Sequence, residues 1–232
     1  MLTAEAKWVA RVVTALPADA FPLLNVGSQT REFRERDQPA IESQVFAPLR
    51  AAGRKVVHTD LREGNGIDVS GDLTDEAFRT DLMLSHGIRS ILCCNVLEHV
   101  PDPYLMAASL ARLVDETGGH MIVTVPRSFP YHPDPIDTMF RPSTGDLARL
   151  VAPLVEVSSA EVRAGRLPRY AVSRAVHSTR SAVGNYRAAS ATSTETTEHT
   201  RPARTVADLV PYLIRPFVVT CGWYRCDPGK VA

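Results

Sequence analysis

Two stretches of this chain carry side chains that could move a proton. In "ILCCNVLEHVPDP", residues 91–103, His99 follows an apolar run by a few positions. In "VPRSFPYHPDPIDTMFRPSTGDLARL", residues 125–150, His132 stands among Arg127, Tyr131, Asp137 and Arg141. Imidazole titrates near neutrality, so either histidine could take the proton of a hydroxyl that must act as a nucleophile. Each could equally be a structural histidine bonded to backbone. The two histidines with Asp137 are residue types that bind metals, but nothing in their spacing demands an ion, and no metal is expected.

A second set of polar residues falls where apolar runs end. Asn25, Gly27 and Ser28 close "LLNVGS", and a glycine there lets backbone approach a ligand closely, although a plain tight turn would need it too. Asp60 and Leu61 close "VVHTDL" about thirty residues later, a separation that suits a βαβ nucleoside site in which the carboxylate accepts ribose hydroxyls. Asp72 and Leu73 follow the short run in "GIDVSGDLTD", where an acid could face an adenine amino group or merely favour a helix N-terminus. Asn95 and Val96 end the run of residues 88–95.

The elements that must position these residues alternate. Strand-length apolar runs at 22–28, 55–60, 88–95 and 120–126 are separated by helix-period segments at 39–53, 74–85, 103–116 and 143–151. That order implies a parallel sheet with helices on its faces, and ligands of such sheets sit outside the carboxyl ends of the strands. Asp102 is placed to cap the 103–116 helix, with Pro103 in its first turn and a Gly pair at its end. Pro48 removes a backbone donor from the 39–53 segment, which should be kinked or broken near Ala47. After residue 151 the alternation stops: "LVEVSSAEV" and "FVVTCGWYRC" read as strands pairing antiparallel at the sheet edge.

With these residues in view, the chain resembles the class I S-adenosylmethionine-dependent methyltransferases, in particular the type 11-like group whose fourth strand ends in a "VLEHV.DP" phrase. The resemblance covers residues 20–162 and, less closely, the final strand. It implies an α/β, Rossmann-like, seven-stranded, mainly parallel sheet with helices on both faces and an antiparallel last strand. It also implies S-adenosyl-L-methionine as cofactor, with Asn25, Gly27 and Ser28 toward the methionine, Asp60 and Leu61 at the ribose, Asp72 and Leu73 at the adenine, and Asn95 and Val96 again on the methionine side. The opening motif departs from the family: Asn25 stands for the usual acid, and Gln29 and Arg31 for later glycines. The 125–150 segment is similar to a loop of methyltransferases in cell-surface glycan or natural-product assembly. There Arg127, Tyr131, Asp137 and Arg141 would face the acceptor and His132 or His99 would be the base. The implied activity is methylation, most simply of a hydroxyl, on a small-molecule or glycan acceptor. The alternative is a non-catalytic protein that keeps the fold with a weakened cofactor site. A nicotinamide oxidoreductase would want the GxGxxG and Tyr-x-x-x-Lys patterns, which the chain lacks.

Composition sets outer bounds. The 232 residues are 44% hydrophobic and 22% charged, ordinary globular usage. The N-terminal segment sets Trp8, Val9, Val12, Val13 and Leu16 on one face with Lys7 and Arg11 inside the pattern, an amphipathic helix rather than a signal peptide. A cytoplasmic location is expected. Cys93, Cys94, Cys221 and Cys226 form no CxxC pair and read as buried thiols. Net charge is zero but uneven: residues 1–162 hold 15 Lys and Arg against 22 Asp and Glu, whereas residues 163–216 hold 9 Arg against 3 acids. The expected organisation is a cofactor-binding core over 1–162, a basic and partly disordered insertion over 163–215 containing the Ser/Thr-rich tract 188–200, and a final strand over 216–232. The basic insertion could make peripheral contact with an anionic membrane. It lacks aromatics beyond Tyr170 and Tyr186 among its arginines, which argues against nucleic acid.

Overall fold

The computed structural model describes residues 1–132, 136–166, 209–227 and 229. Seven strands form one sheet: β1 (Leu23–Val26), β2 (Val56–Asp60), β3 (Val69–Ser70), β4 (Ser90–Cys94), β5 (His120–Ser128), β6 (Val155–Arg163) and β7 (Val218–Arg225). Their order is β3-β2-β1-β4-β5-β7-β6. All neighbouring pairs from β3 to β5 are parallel, and β7 runs antiparallel to both β5 and β6. The expected antiparallel pair is therefore present, with β7 inside the sheet and β6 on the edge. The fold is the Rossmann-like, mainly parallel α/β sheet that the alternation implies.

Side chains alternate across each central strand and feed two cores. Leu23, Leu92, Ile122 and Val219 point to one face, which α1 (Thr3–Ala15) covers with Trp8, Val9, Val12 and Val13. The same face receives Ile41, Val45, Phe46 and Leu49 from α2 (Pro39–Ile41), the π-helical turn Glu42–Phe46 and α3 (Ala47–Ala51). Leu24, Ile91, Cys93, Met121 and Val123 point to the other face, against α4 (Glu76–His86), α5 (Pro103–Thr117) and α6 (Thr144–Leu150). A sheet covered on both faces needs the near-continuous apolar strands that this chain has.

The interruption expected at Ala47 is a change of hydrogen-bond register, not a break. The amide of Ala47 bonds the carbonyl of Glu42, five residues back, and α3 begins there with Pro48 in its first turn, where the missing donor costs nothing. Asp102 caps α5 by accepting from the amides of Tyr104 and Leu105, and Gly118 ends it in a left-handed conformation. Of the four cysteines, Cys93, Cys221 and Cys226 are buried and Cys94 is half-buried. Among the described residues no helix is long and apolar enough to cross a membrane. The arginine-rich stretch after Arg166 and the Ser/Thr tract 188–200 lie outside the described residues.

One charged residue sits deep in the α1 face. Glu5 is 1% exposed, and its carboxylate accepts from the hydroxyl of Thr124 in β5 at 2.6 Å, the side-chain amide of Asn95 beyond β4 at 2.7 Å and the backbone amide of Leu2 at 2.9 Å. Removing it would strand the buried hydroxyl of Thr124 and the half-buried side-chain amide of Asn95, and a buried donor costs about 1–3 kcal/mol when unpaired. Glu5→Ala should therefore lower the free energy of unfolding by about 2–4 kcal/mol, read from urea midpoints at unchanged slope. A loss below about 0.5 kcal/mol would mean that the carboxylate does not tie α1 to the strand ends.

Candidate functional site

The carboxyl ends of β1, β2 and β4 converge as the sheet order requires. Chain reversal after β1 uses two left-handed residues, Gly27 at φ 61° and Gln29 at φ 54°. At Gly27 glycine is required twice over, by the left-handed backbone and because a Cβ there would lie 2.5 Å from Cγ2 of Val96, the second residue beyond β4. Val96 thus packs on the turn itself, so the two segments assigned to the methionine side touch.

Gln29 adopts the same backbone region without the freedom of glycine, a strain that the surroundings must over-determine. They do so through Arg34, 4% exposed, whose guanidinium donates to the carbonyls of Ser28 at 3.1 Å, of Gln29, and of Gly66 at 2.7 Å. Burial pushes the Arg34 pKa down from its ordinary value. Ser28 is itself buried, and its amide donates to Thr59 O at 2.9 Å. The loop is held by a cation behind it, and Gln29 keeps its left-handed backbone there without being glycine.

Asp60 ends β2 beside this turn. One of its carboxylate oxygens accepts from the amide of Gln29 at 2.9 Å and the other from the amide of Arg62 at 3.3 Å. Leu61 follows with 71% of its surface exposed, an apolar shelf next to the acid. Asp72 accepts from the amide and the hydroxyl of Thr74 at 2.8 and 2.7 Å, which turns the chain toward α4. Leu73 is buried in the core, and its carbonyl accepts from Arg79, so of its polar groups the amide is the one left to meet a ligand. Asn25 is buried, and its side-chain amide lies 3.0 Å from Nδ1 of His58. Asn95 sits at φ 52° and gives its side-chain amide to Glu5.

The two histidines meet as a pair. Their rings stand edge to face with centroids 5.0 Å apart. Nδ1 of His99 lies 2.6 Å from the carbonyl of Ile136, and Nδ1 of His132 lies 3.0 Å from both the carboxylate of Asp137 and the carbonyl of Pro130. Acceptors at Nδ1 place the ring proton there in each case and turn Nε2 inward as a lone pair. Asp137 is locked in turn: it also accepts from Arg141 at 2.7 and 3.1 Å and from the amides of His132 and Met139. Burial alone would raise its pKa, but the bonds from His132 and Arg141 outweigh it and hold the carboxyl well below the usual range.

Between the histidines lies Glu98, a residue that the sequence reading passed over. It is fully buried by the short 3-10 turn Leu97–His99, and neither carboxylate oxygen has a hydrogen-bond partner among the described residues. Oε1 is 3.6 Å from Nε2 of His99 and 4.0 Å from Nε2 of His132. Burial pushes the Glu98 pKa up to about 8 despite the nearby positive charge of Arg141. Of the expected acceptor-facing residues, Asp137 and Arg141 pair with each other, and Arg127 donates to Glu161 at 3.3 Å and to the carbonyl of Arg141 at 2.8 Å. These three shape the wall behind His132. Tyr131 is half-buried beside it.

No protein-family model and no curated protein sequence matches the chain. Among solved structures it is similar to a SAM-dependent methyltransferase from Anabaena variabilis, at 11% identity over 98% of this chain and 88% of that one with a TM-score of 0.49. It is also similar to a loganic acid methyltransferase with SAH, at 9% identity over 98% and 93% with a TM-score of 0.45. A third is the N-methyltransferase NodS from Bradyrhizobium japonicum in complex with S-adenosyl-L-homocysteine, at 10% identity over 88% and 76% with a TM-score of 0.37. The identities are low, and the fold assignment rests on the sheet order itself.

The ring of His58 in β2, against the side chain of Asn25 in β1, makes the site sensitive to acid. Burial, helped by the positive charge of Arg34, pushes its pKa down to about 4. The unfolded chain therefore binds this proton first as pH falls, so the stability from neutral His58 is complete above about 6.5 and is lost toward pH 4. Between about pH 7 and pH 5 the wild type should lose about 2 kcal/mol more unfolding free energy than His58→Gln, whose amide oxygen can still accept from Asn25. Parallel pH profiles for the two proteins would show that His58 is not held neutral by the fold.

Proposed function

We propose that this chain is an S-adenosylmethionine-dependent methyltransferase that acts on a hydroxyl of a small-molecule or glycan acceptor. The observation that carries the reading is the bond from the amide of Gln29 to the carboxylate of Asp60. It draws the left-handed turn after β1 and the acid that ends β2 into one cradle at the switch in strand order, where nucleoside ligands of open α/β sheets bind. The residues fit the cofactor in kind. The Asp60 carboxylate offers acceptors to ribose hydroxyls, the exposed face of Leu61 offers apolar surface to a base ring, and Gly27 with Asn95 and Val96 would border the methionine end.

S-adenosylmethionine, when bound, supplies an electrophilic methyl group on a positively charged sulfur. The chain must orient the acceptor, exclude water and take up the acceptor's proton. A hydroxyl is a poor nucleophile until its proton has a place to go. His132 meets that need: Asp137 fixes the proton on Nδ1 and would stabilise the ring once Nε2 is protonated, while Arg141 keeps Asp137 ionised and immobile. His99, set edge-on to His132 and bonded to Ile136, is the second candidate for the same role. The "VLEHV" phrase and the "YH..P.D" loop, far apart in sequence, meet at the His99–His132 pair. Peripheral contact of the 163–215 segment with an anionic membrane belongs to the same reading, as the means of reaching a lipid-linked acceptor.

Asp60→Ala should weaken S-adenosylmethionine binding at least about tenfold in calorimetry with the fold intact, since a hydrogen bond to a charged group is worth about 1.5–3 kcal/mol. Unchanged affinity would remove Asp60 from the site. If the wild type itself binds neither S-adenosylmethionine nor S-adenosylhomocysteine, the non-catalytic reading takes its place.

His132→Ala should lower turnover on the acceptor by about 10²- to 10⁴-fold while cofactor affinity changes little. Activity within a few-fold of wild type would move the base to His99.

A further inference from the structure

The carboxylate of Glu98 presents a problem of its own that methyl transfer does not answer. A fully buried carboxylate with both oxygens lacking a hydrogen-bond partner among the described residues is costly in either protonation state unless something completes the site. Two imidazole nitrogens, Nε2 of His99 and of His132, lie 3.6 and 4.0 Å from its Oε1. We propose that Glu98, His99 and His132 hold a divalent transition-metal cation through Oε1 and the two Nε2 atoms.

Three observations carry the assignment. The donor atoms already lie within 4.8 Å of one another, with two of the separations at 3.6 and 4.0 Å. Ligand bonds of about 2.0–2.1 Å at tetrahedral or octahedral angles need separations of about 3.0–3.5 Å, which small side-chain rotations supply. Both rings also have the outer support that metal-bound histidines show. Nδ1 of His99 faces a backbone carbonyl and Nδ1 of His132 faces a carboxylate, so Nε2 is oriented for a metal in both. Finally, burial is asymmetric. Glu98 is closed off, while the side chains of His99 and His132 are 18% and 27% exposed, so a cation held here keeps coordination positions open toward the histidine side. Two nitrogens and one carboxylate oxygen with open positions suit zinc or another first-row transition metal better than magnesium.

Arg141, whose positive charge acts on Glu98, gives both terminal guanidinium nitrogens to Asp137. The spacing of the residues suggests no metal, and Asp137 is the acid that stands with the two histidines in sequence; in space Glu98 stands between them and Asp137 lies behind His132. A cation held here would take His132 as a ligand and would supply Lewis-acid polarisation on its open side, so His132 would not then be free to serve as the base. Without one, the Asp137–His132 pair acts as described above. The inference goes beyond the methyltransferase reading and does not require it, since occupancy is read with no acceptor or cofactor present.

The untagged, chelator-stripped full chain would be titrated with Zn²⁺, Mn²⁺ and Mg²⁺ by calorimetry, and its Co²⁺ form examined by visible absorption. The expected result is one site per chain for Zn²⁺ or Mn²⁺, weaker binding of Mg²⁺, and a Co²⁺ spectrum without a thiolate charge-transfer band. Glu98→Gln, which preserves volume, and His99→Ala should each abolish the site. Asp137→Asn, a positioning change, should weaken it about 10- to 100-fold. If Glu98→Gln does not fold, His99→Ala carries the test, since His99 is partly exposed. No binding of any of these ions by the wild type overturns the proposal, as does a one-to-one site that survives both variants or shows thiolate ligation to Co²⁺. S-adenosylmethionine titrated into the same stripped protein separates the two readings: cofactor binding without metal binding leaves the methyltransferase standing and removes the metal centre.

Discussion

The buried carboxylate of Glu5 is the joint on which the site end of the sheet depends. It reaches from the first turn of α1 to a hydroxyl in β5 and to the side chain of Asn95 beyond β4, so a helix on one face of the sheet is tied to the strand ends where ligands would sit. Asn95 needs that tie, because it turns in a left-handed conformation without being glycine. The turn in turn sets the direction of residues 96–99. Val96 is sent against Gly27, and Glu98 is sent inward under His99 and His132. Displacing one carboxylate would therefore disturb the glycine turn, the cleft floor and the histidine pair together.

The site is built in two halves that solve different electrostatic problems. Near β1 and β2 the chain buries a cation, Arg34, and satisfies it with carbonyl oxygens instead of a carboxylate. That choice leaves Asp60 to accept from backbone amides and to keep charge facing the cradle. Near β4 and the loop after β5 the chain does the reverse: it buries two acids, pairs Asp137 fully with Arg141 and His132, and leaves Glu98 with histidines as its polar neighbours. One acid is kept ionised by its partners and the other is pushed toward its neutral form by burial. Acids held in opposite states a few ångströms from a shared histidine are the arrangement by which one site can both orient and exchange a proton.

Much of this was legible in the residues themselves. The alternation of apolar runs and helical periods leads to the parallel sheet, and Asp102 with Pro103 marks the start of α5 as it stands. Strand-end position alone singles out Gly27, Asp60, Asp72 and Asn95. What could not be read was which polar groups would be consumed internally. Asp137 and Arg141 look like acceptor ligands in sequence because nothing local shows that they will pair with each other. Glu98 was hidden inside a family phrase, since its burial depends on a short 3-10 turn that has no periodic signature. Glu5 did leave a trace: it lies four residues before Val9 and seven before Val12, on the apolar face of α1, and a charge there asks for a partner. Arg34 left none, because its acceptors are backbone carbonyls of residues that have no side-chain complementarity to it.

The place of β7 has a consequence for how the sheet comes to be closed. Residues 218–225 lie between β5 and β6, so the last strand in sequence is an interior strand in space. Until it arrives, the outer edge of β5 presents unpaired backbone donors and acceptors, and β6 has no strand beside it. Closure therefore waits on a contact between residues about a hundred positions apart, which is slow by loop-closure entropy and comes late when the chain emerges from the ribosome in order. A nascent chain halted after β6 would expose an adhesive edge nine residues long, the length of β5, to any extended segment nearby.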